Sequence, residues 1–419
     1  MKQFKMLLAL LVWLGALGCS QQEFSEAVVP ETVEQQEEAT IGTRVSKRLA
    51  VQRAKNAVKW ISDGPQSRSD LLRVERVEVV GGSALSRADA ADTLFYLVNF
   101  SDNQGYALVA ADERNTDVYM MSDEGSLDLS ELDAASPLAY FMEQAEEYAL
   151  YEIATFDRIP IIDTTEHMVD PSDTISILFT EIYNGVEYHV KNNYEPVIYD
   201  CSLPTRWHQD SPYNNYCFTD GGDQAVAGCV AIAMAQIMAY HQHPATYNWE
   251  AMLEDAPYVY LWDAVGSDAV ATLVSDIGQA VGMVYGTGGS EAAPSSPISA
   301  FRNEFGYDAG NLVAYSYYGI ISNLIENNPV YSRGNADDGR GHAWVIDGAK
   351  HEIWTKSYYS TETLEFCFTR TMGRVSEYVH NNWGQGMAST FTLSGVFQTN
   401  YNREYSTNNQ IISYVKPEE

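Results

Sequence analysis

A cysteine thiol attacks carbonyl carbon well only as thiolate, and it needs a base within reach to take and return the proton. Gly228-Cys229-Val230 places a cysteine at the first turn of a predicted helix that runs to His241, with no Gly or Pro before Pro244. The unpaired N–H groups and partial positive charge at a helix N-terminus favour thiolate over thiol. Gly228 keeps the approach to that backbone open. By residue type alone a buried structural cysteine is the commoner case, so the assignment of Cys229 as nucleophile rests on its partners.

The first partner is His342, in Gly341-His342-Ala343-Trp344-Val345-Ile346-Asp347-Gly348, the start of an alternating strand predicted to end in an Asp-Gly turn. A strand is a rigid mount for a general base, and Gly341 leaves room for a substrate backbone. His380-Asn381-Asn382-Trp383-Gly384 offers an Asn oxygen that could accept the imidazole's other N–H, with a Trp to shield the bond from water. The same residues also suit a turn. Upstream, Trp207-His208-Gln209-Asp210 carries Gln209, whose amide could donate to an oxyanion together with the Cys229 N–H.

These residues need elements to hold them. Apolar spacing predicts helices over Arg44–Ile61, Pro137–Tyr151, Asp268–Gly282 and Ile298–Phe305, besides the long one after Cys229. Phe95–Phe100 and Tyr106–Ala110 read as a strand pair across the Ser101–Gly105 turn. After Pro329 strands dominate: residues 329–332, 342–346, 363–370 and 410–415. Helices first and an antiparallel sheet afterwards predict an α+β catalytic domain of two facing subdomains, preceded by a small α+β unit.

The chain has 419 residues, enough for both units, and 45% hydrophobic with 20% charged residues is ordinary for a folded protein. A formal net charge of −32 repels nucleic acid and anionic lipid, so neither is expected as a partner. Lys2 and Lys5 precede an apolar run, Met6 to Leu17, too short to span a bilayer comfortably, which closes on Ala16-Leu17-Gly18-Cys19. That ending resembles a bacterial lipoprotein signal, in which the cysteine is acylated; an ordinary secretory signal is the plainer alternative. The resulting organisation is a signal at 1–18, a flexible acidic tether at 19–42, a folded N-terminal domain at 43–155, a linker at 156–193 and the catalytic domain at 194–419. Export would expose Cys201, Cys217, Cys229 and Cys367 to an oxidising compartment. Cys201 and Cys217 flank a short loop, but spacing leaves every pairing open. No cysteine or histidine spacing suits zinc, and a thiol–imidazole pair needs no cofactor.

Taken together, six segments resemble the streptopain family of cysteine peptidases, which have a papain-like fold: residues 207–214, 227–241, 285–290, 305–307, 341–348 and 382–384, in the family's order. The N-terminal unit resembles that family's inhibitory propeptide more loosely, at residues 96–100 and 105–112. The resemblance implies Cys229 as nucleophile, His342 as base, Gln209 in the oxyanion hole, and Asn382 with Trp383 supporting the histidine. It also implies Gly341 and Ser290 along the substrate cleft, and removal of residues up to roughly 190 on activation. The expected protein is thus an exported, lipid-anchored zymogen of the bacterial envelope, acting on proteins or peptides and inhibited by its own propeptide. Two departures stand out: Gln385 where the family usually has a second Trp, and a longer excursion over Lys350–Val375. The rival readings are a decayed peptidase fold that binds proteins, and a thiol acyltransferase or amidase using the same pair.

Overall fold

The computed structural model describes residues 43–62, 72–81, 93–133, 136–156, 179–336, 339–398 and 408–418. The predicted export signal, Cys19, the acidic tether and residues 157–178 of the predicted linker lie outside them. Helix α1 (Lys47–Ile61) starts three residues later than its apolar stripe because Ser46 caps it, its hydroxyl accepting from the Leu49 N–H at 3.2 Å. Ala50, Ala54, Val58 and Ile61 line one buried face. That face packs on an antiparallel meander of β1 (Val74–Gly81), β2 (Thr93–Phe100), β3 (Tyr106–Ala110) and β4 (Val118–Ser122). The predicted hairpin is present, with Asp102 and Asn103 at positive φ in its connection. Helix α2 (Pro137–Thr155) begins with Ser136 as cap and Pro137 in the first turn.

The structure differs from the linker expectation at residues 179–193. Strands β5 (Phe179–Tyr183) and β6 (Val186–Asp200) form a hairpin. Strand β6 runs antiparallel to β10 (Gly341–Ser360) from Gly348↔Asp200 to Ser360↔Tyr188. Together with β11 (Phe366–Asn382) they account for the long Lys350–Val375 excursion: it is the outer half of a hairpin sheathed by β5 and β6. Stacked Tyr358 and Phe368, 4.6 Å apart, give this arm a small core with Tyr183 and Tyr188.

Between the arm strands in sequence lies a helical half: α3 (Cys229–His241), α4 (Trp249–Leu253), α5 (Ala264–Val281), α6 (Ser296–Asn303) and, past β7 (Tyr307–Ala309) and β8 (Leu312–Ala314), α7 (Tyr317–Ile325). Helix α3 is apolar all round, and Ala231 to Ala239 is buried without a break. It is a central core helix, where its sequence suggested one buried face. The sheet is completed by β9 (Val330–Asn335), β12 (Thr390–Leu393) and β13 (Gln410–Ile412), while β14 (Val415–Pro417) pairs with β7. Its order is β1-β2-β3-β4-β12-β11-β10-β9-β13-β8, one sheet running from the N-terminal domain into the catalytic half.

Alternation along β10 buries both of its faces. Ala343 and Val345 join the helical core with α3, whereas Trp344 and Ile346 join a second core with α2, Trp383 and Phe397. The strand does not stop at Asp347-Gly348 as predicted. Its register against β11 shifts there, and the Asp347 carboxylate turns inward to accept from the Leu203 N–H at 3.0 Å and to pair with His380 at 2.7 Å. Burial works to lower the His380 pKa, but the carboxylates of Asp347, Asp200 and Asp123 outweigh it and hold it raised. None of the described cysteines is disulfide-bonded: Cys217 sits in the helical core, Cys201 in the second core with Trp344 and Trp383, and Cys367 on the arm's surface.

His241, the last residue of α3, gives a pH test of the helical half. Burial, aided by His243, pushes its pKa down to about 4, and its Nε2 has no hydrogen-bond partner. The unfolded chain therefore binds the proton first, so the His241 contribution is intact above about pH 6.5 and lost as pH falls toward 4. The expected result is that His241→Gln shrinks the loss of Tm between pH 6.5 and 4, read as a difference from wild type by calorimetry. Parallel curves would remove His241 from the account.

Candidate active site

Cys229 opens α3, and Gly228 before it adopts φ 90°. A side chain at Gly228 would meet Met283 Cε at 2.9 Å and Ser290 Cβ at 3.2 Å, so only glycine fits this approach. The Cys229 thiol is half-buried and faces the amides of Ala343, Val230 and Cys229 itself. Ala343 lies on β10 just before β11 begins to pair at Val345, which leaves its edge open to the head of α3. Burial pushes the Cys229 thiol up, against the three amides and the charge of Arg333, which pull it down. The thiol form therefore prevails in the closed chain, the reverse of what helix position alone suggests.

A cleft of about 770 Å³ brings together Gln209, Cys229, Ser290, Gly341 and His342, five of the residues singled out from sequence. Gln209 is tied to the cysteine loop, its carbonyl accepting from the Ala227 N–H at 2.9 Å. Ser290 bridges the Val226 carbonyl (2.7 Å) and the Gly286 N–H (3.1 Å), fixing the loop under Cys229. Gln385, where the family usually has Trp, also lines the cleft, with Gly384 and Gly386.

Asn382 and Trp383 sit elsewhere. The Asn382 oxygen accepts from Gln236 Nε2 at 3.1 Å and the Gly384 N–H at 3.2 Å, while its nitrogen donates to the Thr205 carbonyl at 2.7 Å. Gln236 in turn accepts from the Trp207 N–H at 3.1 Å. This network braces the segment leading to Gln209. Trp383 donates to Thr390 Oγ1 at 2.8 Å and packs on Trp344.

His342 is 5% exposed and stacks on Tyr140 of α2, ring centroids 5.4 Å apart and planes at 25°. Phe141 packs beside it on Trp383 and Phe397. Further along the same boundary, Lys350 bonds the Trp60 carbonyl and lies over its ring, Tyr378 donates to the Val118 carbonyl at 2.8 Å, and Arg206 pairs with Glu124. Thus the N-terminal domain covers the histidine side of the cleft. Sequence reasoning placed α2 but missed Tyr140, since an aromatic on a helix face reads as core. It also missed Arg333, whose signal was a cation inside an otherwise apolar strand start.

A thiol at a helix head and a histidine at a strand start thus share one cleft, and the N-terminal domain closes over the histidine. Residues 207–391 match the Peptidase C10 family, and residues 42–149 match the Spi protease inhibitor family. The matches make residues 207–391 a peptidase C10, or streptopain-like, region and residues 42–149 a Spi-type propeptide region, and the chain is a cysteine endopeptidase with an N-terminal propeptide. It is 26% identical over 327 residues to streptopain of Streptococcus pyogenes, covering 69% of this chain and 74% of that protein. It is also 25% identical over 341 residues to the thiol protease/hemagglutinin PrtT of Porphyromonas gingivalis, covering 73% of this chain and 36% of that protein. In fold it resembles prointerpain A of Prevotella intermedia, with a TM-score of 0.51 at 16% identity over 80% of this chain and 98% of the other.

Proposed function

We propose that Cys229 and His342 are the thiol–imidazole pair of this peptidase, and that processing ahead of β5 releases it. The observation that carries the reading is the Cys229 thiol, aimed at backbone amides in a cleft it shares with His342 and Gln209. In the reaction, His342 takes the thiol proton and the Cys229 thiolate attacks the peptide carbonyl. The oxyanion rests between the Cys229 N–H and the Gln209 amide. His342 then gives its proton to the leaving amine, and water attacks the thioester, returning the proton through the same ring. Gly341 and Ser290 line the cleft for the substrate backbone, Asn382 holds the Gln209 segment in place through Gln236, and Trp383 supports β10 by packing on Trp344. No step calls for a cofactor.

The propeptide in this reading spans 43–155, and its Tyr140, stacked on His342, holds that ring until the propeptide leaves. The long β6–β10 ladder supports a mature chain that keeps β5 and β6, so it begins before Phe179 and not near 190. Substrates are proteins or peptides. The residues up to Cys19 support export to a bacterial cell envelope with a lipid on that cysteine, the membrane being reached only there.

One set of measurements tests this. Processed protein is expected to hydrolyse casein and to take up an iodoacetamide probe at Cys229, while unprocessed protein does both far more slowly. Intact mass should place the new N-terminus before residue 179 and show acyl mass on Cys19 of the precursor. Equal hydrolysis before and after processing would sink the zymogen reading; a start inside β6 would sink the boundary.

A further inference from the structure

The imidazole of a thiol–imidazole pair needs an acceptor on its far side, and neither neighbouring asparagine is free to supply one. Asn382 is engaged by Gln236, Gly384 and Thr205. Asn381 accepts from the Trp344 indole at 3.0 Å and donates to Thr392 Oγ1 at 2.8 Å. A third asparagine lies on the His342 face of the sheet. Gly334 pairs with His342 across β9 and β10, and a side chain at Gly334 would collide with both the Asn409 amide oxygen and the Tyr140 ring. Tyr140 thus fills the space opposite His342 that the glycine leaves, stacked on the imidazole and donating its hydroxyl to Asn409 Oδ1 at 3.1 Å. Asn409 is 3% exposed, and its amide nitrogen is buried with no hydrogen-bond partner. A buried amide that uses one oxygen on a propeptide residue and leaves its nitrogen unpaired carries a desolvation cost that folding alone does not explain.

We propose that Asn409 is the residue that orients His342 in the mature enzyme, and that Tyr140 occupies its amide oxygen until the propeptide leaves. This rests on the reading of His342 as the base. The anchors of Asn409 all belong to the catalytic half and outlast processing. Its carbonyl accepts from the Tyr315 N–H at 3.0 Å, and the adjacent Gln410 pairs with Arg333 on β9 and accepts from that guanidinium at 2.7 Å. Loss of α2 frees Asn409 Oδ1 to accept the ring N–H that faces away from the thiol. That bond fixes the tautomer and favours the protonated ring. Tyr140 therefore blocks the histidine twice, by covering the ring and by capping its orienting acceptor.

The test is steady-state kinetics of processed enzyme across pH. Asn409→Ala is expected to lower kcat by about 10- to 100-fold with KM within about twofold, because a misaligned base slows chemistry more than binding. The limb of the pH profile that reports loss of the imidazolium proton should move to lower pH. Asn409→Asp restores an acceptor, and with it most of kcat, and moves that limb to higher pH. A kcat within about threefold of wild type for Asn409→Ala, or equal losses in both variants with unmoved limbs, would overturn the proposal. His342→Ala run alongside separates the two readings: if it retains hydrolysis, the base assignment fails; if it abolishes hydrolysis while Asn409→Ala does not reduce it, only the Asn409 proposal fails.

Discussion

Cys229→Ala is expected to reduce peptide hydrolysis by about 10⁴-fold or more in processed protein, since a covalent route removed at its nucleophile leaves only binding and oxyanion stabilisation. The variant is cut by added tagged wild-type enzyme that is then withdrawn, so that its processing does not depend on its own thiol. Its melting temperature should hardly change: the thiol is half-buried beside an open cleft, and alanine at a helix start fits without strain. Hydrolysis within about tenfold of wild type, with no residual tagged enzyme, would rule Cys229 out. The two other thiols buried in the cores, Cys201 and Cys217, give the control. Burial pushes Cys201 up to about 11 and raises Cys217 as well, so alkylation at neutral pH should leave both untouched in the folded chain.

The second large effect concerns the lock. Tyr140→Ala in the unprocessed chain removes a ring stacked on His342 and a hydroxyl bonded to Asn409. Emptying a packed aromatic site costs about 3–5 kcal/mol when nothing collapses into it. Phe141, the Lys350–Trp60 contact and the β4–β12 rungs still hold the domain, so part of that cost is recovered by shifting within the interface. About 1.5–3 kcal/mol should appear in the docking equilibrium, which is roughly 10- to 100-fold faster alkylation of Cys229 before any cleavage. Tyr140→Phe keeps the stack and loses one neutral hydrogen bond of about 1 kcal/mol, so about fivefold is expected. Unchanged labelling in Tyr140→Ala, with the chain still folded by calorimetry, would mean that α2 shields the site by other residues.

Much of this site was legible because local chemistry and local structure coincide there. Gly228-Cys229 before a long unbroken apolar run reads as a helix head, and Gly341-His342 before the short apolar run Ala343–Ile346 reads as a strand start. What failed to show was set by neighbours distant in sequence. Asn381 and Asn382 are adjacent in sequence but face opposite sides of β11, so a motif names both while the fold sends one to Trp344 and the other to Gln236. Asp347-Gly348 reads as a turn, yet the carboxylate finds Leu203 and His380, and a bulge replaces the turn. The stretch 179–193 lacks a core of its own, and its strands exist because β10 extends far enough to pair with them. Asn409 carried no signal, since its meaning depends on Tyr140, which lies 269 positions earlier.

The shared sheet has a consequence for the enzyme after it has been freed. Phe391↔Met121 and Thr392↔Met120 are the rungs that join β12 to β4, so β12 is an interior strand only while β1 to β4 remain. Once they depart, a row of backbone donors and acceptors along Thr390–Leu393 becomes a rim, the kind of border that invites pairing with a foreign strand. The strand is four residues long and bears Thr at alternate positions, which limits how firmly a stranger can zip onto it. Maturation thus exchanges a closed border for an open one, and the brevity of β12 restrains the self-association which that exchange would otherwise encourage.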